Sequence, residues 1–232
     1  MRQKLQRHSI HIIFPFITIL FASCITSNKD EEQRRLALYF LAQNVGNEIV
    51  IDDQILLVDE FKFAMDRLNI YAENDFVLQT SGDVTALIYS YNKNIIDDRL
   101  VLDVDLGYRE IDRFLGYEIF IEPVRDRTGV LDGDFFGSDG NYSVIIKGKV
   151  NEIEFTFRSS MEFEQKYEFS VDLNKEKETL LIRNIINVAN VFTSSEGGFL
   201  DPLEPESEEQ IFDNIGKSLE IQASAATIFE LP

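Results

Sequence analysis

Polar and apolar positions alternate along most of the chain between residues 48 and 186, with the two-residue period of half-buried strands. Phe61, Phe63 and Met65 alternate with Glu60, Lys62 and Ala64. Leu100, Leu102, Val104 and Leu106 alternate with Val101, Asp103 and Asp105. Tyr117, Ile119 and Ile121 alternate with Glu118, Phe120 and Glu122 until Pro123 ends the run. Apolar runs at 49–51, 55–58, 76–78 and 84–91 predict further strands, the last two separated by Ser81-Gly82-Asp83. Tyr142, Val144 and Ile146 lead through a turn near Gly148 to Ile153, Phe155 and Phe157, a predicted hairpin. Tyr167, Phe169, Val171 and Leu173 make another strand, turned at Asn174-Lys175, and 179–186 a further one. Many short strands between turn signals predict an all-β fold, an antiparallel β-sandwich of the Ig-like or prealbumin-like kind.

Two stretches depart from this period. Residues 36–42 form an apolar block whose pattern fits a short helix as well as a first strand. Residues 194–205, with Gly197, Gly198, Pro202 and Pro205, read as a loop. Ser207 followed by Gln210 has the form of a capping box. Phe212, Ile215 and Leu219, with Ile211 beside them, then recur at helical spacing. An amphipathic helix over 207–219 is therefore expected, closing the sandwich by core packing.

The N-terminus carries an address. Arg2, Lys4 and Arg7 precede an apolar stretch from Ile10 to Ala22, interrupted by His11, Pro15 and Thr18. Spanning a bilayer takes ~20 apolar residues, so this shorter, broken run reads as a secretory signal. Leu20-Phe21-Ala22-Ser23-Cys24 resembles the lipobox of bacterial lipoproteins, with Phe21 where leucine is commoner. The resemblance implies cleavage before Cys24 and transfer of a diacylglyceryl group, with chains such as palmitate, to its sulfur. Two or more acyl chains anchor a protein stably. Lys29, Asp30, Glu31 and Glu32 follow, resembling the lipoprotein export signal of Bacteroidetes-type bacteria. That resemblance implies display on the outer face of the outer membrane. The expected organisation is a signal peptide at 1–23, an acidic tether at 24–35 and a single sandwich domain at 36–232. The stretch from Tyr142 to Phe157, with 198–202 and 213–218, is similar to uncharacterised β-sandwich lipoproteins of the same bacteria. This similarity implies a fold and a compartment but no activity.

Charge and composition narrow the chemistry. The chain has 22 basic and 41 acidic residues, a net charge of −19. Loss of residues 1–23 removes three basic residues and no acidic one, which brings the mature charge to −22. Such a surface repels nucleic-acid phosphates, so no nucleic-acid partner is expected. Both histidines, His8 and His11, lie in the cleaved segment, the chain has no tryptophan, and its one cysteine is the lipid acceptor. A mature chain of this kind lacks Ser-His-Asp and Cys-His catalysis, His/Cys zinc sites, histidine-ligated haem and disulfides.

Three kinds of candidate site remain. Residues 132–141, Asp-Gly-Asp-Phe-Phe-Gly-Ser-Asp-Gly-Asn, offer Asp132, Asp134, Asp139 and Asn141 as oxygen ligands for Ca2+. Phe136 stands where an EF-hand loop needs an oxygen ligand, so that motif is not met, and Asp and Gly also simply make turns. The pairs Asp97-Asp98, Asp103 with Asp105, and Glu152 with Glu154 suit glycosidase chemistry in principle. With 41 acidic residues such pairs also arise by chance on solvated faces. Tyr89 with Tyr91, or Phe135-Phe136, could form a glycan platform or partner contact, core burial being the ordinary alternative. No catalytic residue is assigned. The expectation is a non-enzymatic, surface-exposed lipoprotein that binds or scaffolds beside an outer-membrane protein complex. A glycan- or nutrient-capturing accessory lipoprotein is the second reading and a carboxylate-based hydrolase the third.

Overall fold

The computed structural model describes residues 33–43, 48–74, 77–90, 99–108, 111–125, 132–174 and 176–227. Strands β1 (Gln33–Gln43), β5 (Arg99–Tyr108), β10 (Thr179–Asn187) and β11 (Leu219–Ala226) form a four-stranded sheet in the order β11-β10-β1-β5. A seven-stranded sheet contains β2 (Ile49–Ile51), β3 (Gln54–Ala72), β4 (Val77–Ser90), β6 (Arg113–Ile121), β7 (Val144–Val150), β8 (Ile153–Ser159) and β9 (Phe163–Asp172). The pairings are antiparallel except β1 with β10, which is parallel. The protein is an all-β sandwich carrying a one-turn helix, α1 (Val188–Val191), and a short C-terminal helix, α2 (Glu208–Lys217). No helix among the described residues is long and apolar enough to cross a membrane.

Strand β3 organises the larger sheet. β7 pairs with its residues 56–63 and β6 with residues 65–72, while β4 runs along the opposite edge. Both the β4 and the β6 registers slip between Met65 and Arg67. The extra residue, Asp66, is a bulge that inverts the alternation. Phe61, Phe63 and Met65 face the core before it, and Leu68, Ile70 and Ala72 after it. Arg125 holds Asp66 in place at 2.6 Å.

Between the sheets, Leu36, Leu38 and Phe40 of β1 and Leu180, Ile182 and Ile186 of β10 join the β3 and β6 side chains in one core. Phe40 and Phe63 meet edge-to-face across it, with ring centroids 4.7 Å apart. One polar bridge crosses the same interior. The Tyr117 hydroxyl donates to Asn184 Oδ1, and Asn184 Nδ2 donates to the Tyr39 carbonyl at 3.1 Å. Burial pushes the Tyr117 hydroxyl well above its ordinary pKa and so keeps it a donor.

The apolar block at 36–42 is a strand because both faces of β1 and β10 are covered: Ala37, Tyr39 and Leu181 are buried on the side away from the main core. Strands buried on both faces lose the alternating pattern. β1 also begins at Gln33, inside the segment read as tether. The Arg34 guanidinium is buried there and donates to Asp112 Oδ1 at 2.7 Å and to the Asn174 carbonyl at 3.0 Å.

Several turn assignments change. The β7–β8 hairpin turns at Asn151 and Glu152, with φ of 47° and 69°, the left-handed pair of a two-residue hairpin loop. Gly148 instead lies within β7, where an added Cβ would sit 2.1 Å from the Leu57 carbonyl oxygen. Gly148→Ala must force β7 away from β3, and overpacking of this kind costs about 1–3 kcal/mol. A urea midpoint equal to that of the wild type would show that the two strands part freely. Ser81-Gly82-Asp83 does not break β4, which runs through it, since two neighbouring registers hold it to β3.

At the C-terminus the helix is shorter than the expected 207–219. A single 3-10 turn, Pro205–Ser207, runs directly into α2, so Ser207 has helical backbone (φ −83°, ψ −13°) and its side chain caps nothing. A capping box requires extended backbone at that position. Ile211, Phe212 and Ile215 pack inward as expected, Phe212 edge-to-face on Phe163 at 5.7 Å. Leu219 opens β11 rather than closing the helix. Its pairing with β10 satisfies that strand's outer edge.

Candidate functional site

Cys24 and residues 29–32 lie outside the described residues. The acidic loop is described in full. Residues 132–142 fold over the outer face of β3 and β7, where Phe135 is completely buried against Ala64, Val124 and Ile145. Phe136 and Tyr142 pack around this small second core. Phe135-Phe136 is thus an internal plug rather than an exposed platform.

Beside the plug sits a charged cluster. Lys62 is only 6% exposed, and its Nζ donates to Asp132 Oδ2 at 2.9 Å and to Asp134 Oδ2. Lys147 Nζ reaches the same Asp134 oxygen at 2.5 Å, and both ammonium groups lie 3.3 Å from Glu60 Oε2. Hydrogen bonds from Lys147 and then Lys62 hold the Asp134 carboxyl below its ordinary range. Burial disfavours the Lys62 cation, but its bonds to Asp132 and Asp134 outweigh that and raise its pKa. Asp132 also accepts from the Asp134 backbone N–H at 3.0 Å, which fixes the turn.

The four proposed calcium ligands therefore do not converge. Asp132 and Asp134 are ion-paired with lysines, Asp139 is exposed, and Asn141 Nδ2 donates to the Val124 carbonyl at 2.5 Å. Among the described residues no group of three or more His, Cys, Asp or Glu is placed to hold a metal. Nothing in the sequence set these lysines apart, since Lys62 follows the ordinary alternation of a half-buried strand between Phe61 and Phe63.

A second site, absent from the sequence reading, lies on the outer face where β4, β3, β6 and β9 run side by side. The registers place Arg67, Phe120 and Glu164 in one cross-strand row, Gln79, Asn69, Glu118 and Lys166 in the next, and Val77, Tyr71, Gly116 and Glu168 in a third. Gly116 leaves a gap between Tyr71 and Glu168, and it must be glycine because a Cβ would meet the Tyr167 carbonyl oxygen at 2.4 Å. The register slip between Phe114 and Gly116 turns Leu115 outward, 42% exposed. The result is a slot of about 620 Å³ walled by Tyr71, Val77, Leu115, Lys166, Glu168 and Phe169.

Hydrogen bonds preset the slot. Glu118 Oε2 accepts from the Tyr71 hydroxyl at 2.5 Å and from Asn69 Nδ2 at 2.7 Å. Burial opposes ionisation of Glu118, but these bonds prevail and hold its carboxyl below the usual range. Lys166 Nζ lies 4.9 Å from the Tyr71 ring centroid, and the Arg67 guanidinium covers Phe120 at 3.7 Å.

The remaining candidates do not assemble. Tyr91 and the Asp97-Asp98 pair lie outside the described residues, and Tyr89 lies on β4 opposite Phe61. Asp103 and Asp105 follow one another along β5 opposite Ala37 and Arg35, with Asp105 exposed. Glu152 belongs to the hairpin turn and Glu154 points to solvent. The chain matches no protein-family model, and no curated protein or solved structure matches it significantly.

Proposed function

We propose that this chain is a lipid-anchored lipoprotein of the outer membrane, displayed on the cell surface, whose sandwich binds or scaffolds beside a membrane protein complex without catalysing a reaction. The observation that carries it is Leu20-Phe21-Ala22-Ser23-Cys24 at the end of a secretory apolar run, with the only cysteine of the chain at the acceptor position. The acidic stretch from Lys29 to Glu32 supports surface display. The non-enzymatic reading is supported by the residue types: both histidines, His8 and His11, precede the expected cleavage point and the only cysteine is the acceptor.

Cells labelled with a palmitate analogue should incorporate label into the wild type, which should partition into detergent. Cys24→Ser should lose the label and the detergent partition almost completely. A variant that stays labelled and membrane-bound would overturn the anchor. Detergent extraction and pull-down of the tagged full chain should bring down a membrane protein in stoichiometric amount, and recovery of the chain alone would argue against a scaffold. Protease treatment of intact cells should cleave the sandwich, and complete protection would place it on the periplasmic side.

A further inference from the structure

We infer that the slot between Tyr71 and Glu168 is a binding site for a neutral, polyhydroxylated ligand of the saccharide class. The inference rests on the binding-module reading above and names the ligand chemistry of a site that the partner proposal leaves unused. Its volume of about 620 Å³ falls in the ~300–1,000 Å³ range of small-ligand clefts.

Three features of the wall select the class. Sugar hydroxyls both donate and accept, so they need donors and acceptors interleaved at short range. The lining supplies Lys166 as a donor and Glu168 as an acceptor, and the exposed Gln79 stands in the adjoining row. Apolar faces of a sugar need an aromatic or aliphatic wall, which Tyr71, Val77 and Leu115 provide, the last two substantially exposed. The Tyr71 ring is already fixed by its bond to Glu118, so binding orders little that was free.

Charge decides between a neutral ligand and a charged one. The chain carries −19 overall, yet among the described residues the three rows set three carboxylates, Glu118, Glu164 and Glu168, against two cations, Arg67 and Lys166. An anionic ligand would meet Glu168 and Glu118, and a cationic one would meet Lys166 over the ring it would need. A neutral ligand needs only the flexible Lys166 side chain to swing off the Tyr71 ring, and its ammonium stays hydrated at the rim as a donor.

The test is isothermal titration of the full chain, purified in a sugar-free detergent, with maltotriose, cellotriose, xylotriose and the anionic trigalacturonate as probes. At least one neutral trisaccharide should give saturable heat. Tyr71→Ala and Glu168→Gln should each weaken it about tenfold, 1.4 kcal/mol. Leu115→Glu, at an exposed position that does not threaten the fold, should weaken it as well, while Glu154→Gln on β8, beside the opposite end of β3, should leave it unchanged. Saturable heat from none of the neutral probes, tighter binding of trigalacturonate, or binding untouched by the three slot variants would each overturn the inference. Loss of saccharide binding alongside intact anchoring and co-purification would sink the slot alone, whereas soluble, partnerless protein that still binds sugar would sink only the anchored scaffold.

Discussion

Phe63→Ala is expected to destabilise the sandwich by about 3–5 kcal/mol, the cost of truncating a fully enclosed phenylalanine. The ring is 1% exposed and lies at the meeting point of the two sheets. Its edge-to-face partner, Phe40, sits on the parallel-paired β1, so neither sheet can close over the cavity without shifting a central strand. Urea denaturation of Phe63→Ala, Phe40→Ala and the double variant should give a coupling of about 0.5–1.5 kcal/mol beyond area burial. The slope of the transition should stay constant, which keeps the comparison meaningful. A single-variant loss below about 1 kcal/mol would mean that the sheets are not held together at this point.

Lys62→Ala is the second large effect. Removing one partner of a buried ion pair costs ~3–5 kcal/mol because the other charge is left uncompensated. Here the three carboxylates are about one-third exposed and Lys147 remains, so about 2–3 kcal/mol is expected. Lys62→Met, which keeps the packing length but not the charge, separates the electrostatic part from lost packing.

The pH dependence of the same cluster follows from its shifts. Asp134 has a folded pKa below its ordinary 3.8, so its contribution is present above 3.8 and lost as the pH falls through the lowered value. Lys62 and Lys147 have folded values above 10.5, so their contribution is present below 10.5 and lost as the pH rises through the raised values. The wild type should therefore lose this part of its stability only outside those two limits. Asp134→Asn should abolish the share lost on the acid side, as read by thermal melts between pH 2 and 7. An unchanged acid limb would show that Asp134 is not held by the lysines.

Most strands could be read from the chain because a strand with one wet face writes its burial into the sequence every second residue. Core residues such as Phe61, Phe63, Ile119 and Ile121 were legible for that reason. Alternation fails where it carries no contrast. β11, Leu-Glu-Ile-Gln-Ala-Ser-Ala-Ala, does alternate, but its inward Ala223 and Ala225 are too small to stand out. Gly148 resembled a turn because glycine serves turns and close backbone approach alike, and only the position of the Leu57 carbonyl tells which applies.

The acidic loop shows the same limit at the level of chemistry. Its three aspartates were visible as possible ligands, yet what they face is decided by two lysines 70 and 13 residues distant from Asp132 and Asp134 respectively. The slot was invisible for a related reason: it needs Val77, Tyr71, Gly116 and Glu168 in one row, and three separate registers set that row.

The sequence by itself determined the acidic charge, the confinement of both histidines to the first eleven residues and the β character, because each depends on local order or on composition alone. The tertiary structure decided which strands pair, the inversion of faces at Asp66, the lysine partners of the acidic loop and the slot beside Tyr71. Those depend on contacts between residues far apart in the chain, which no local pattern encodes.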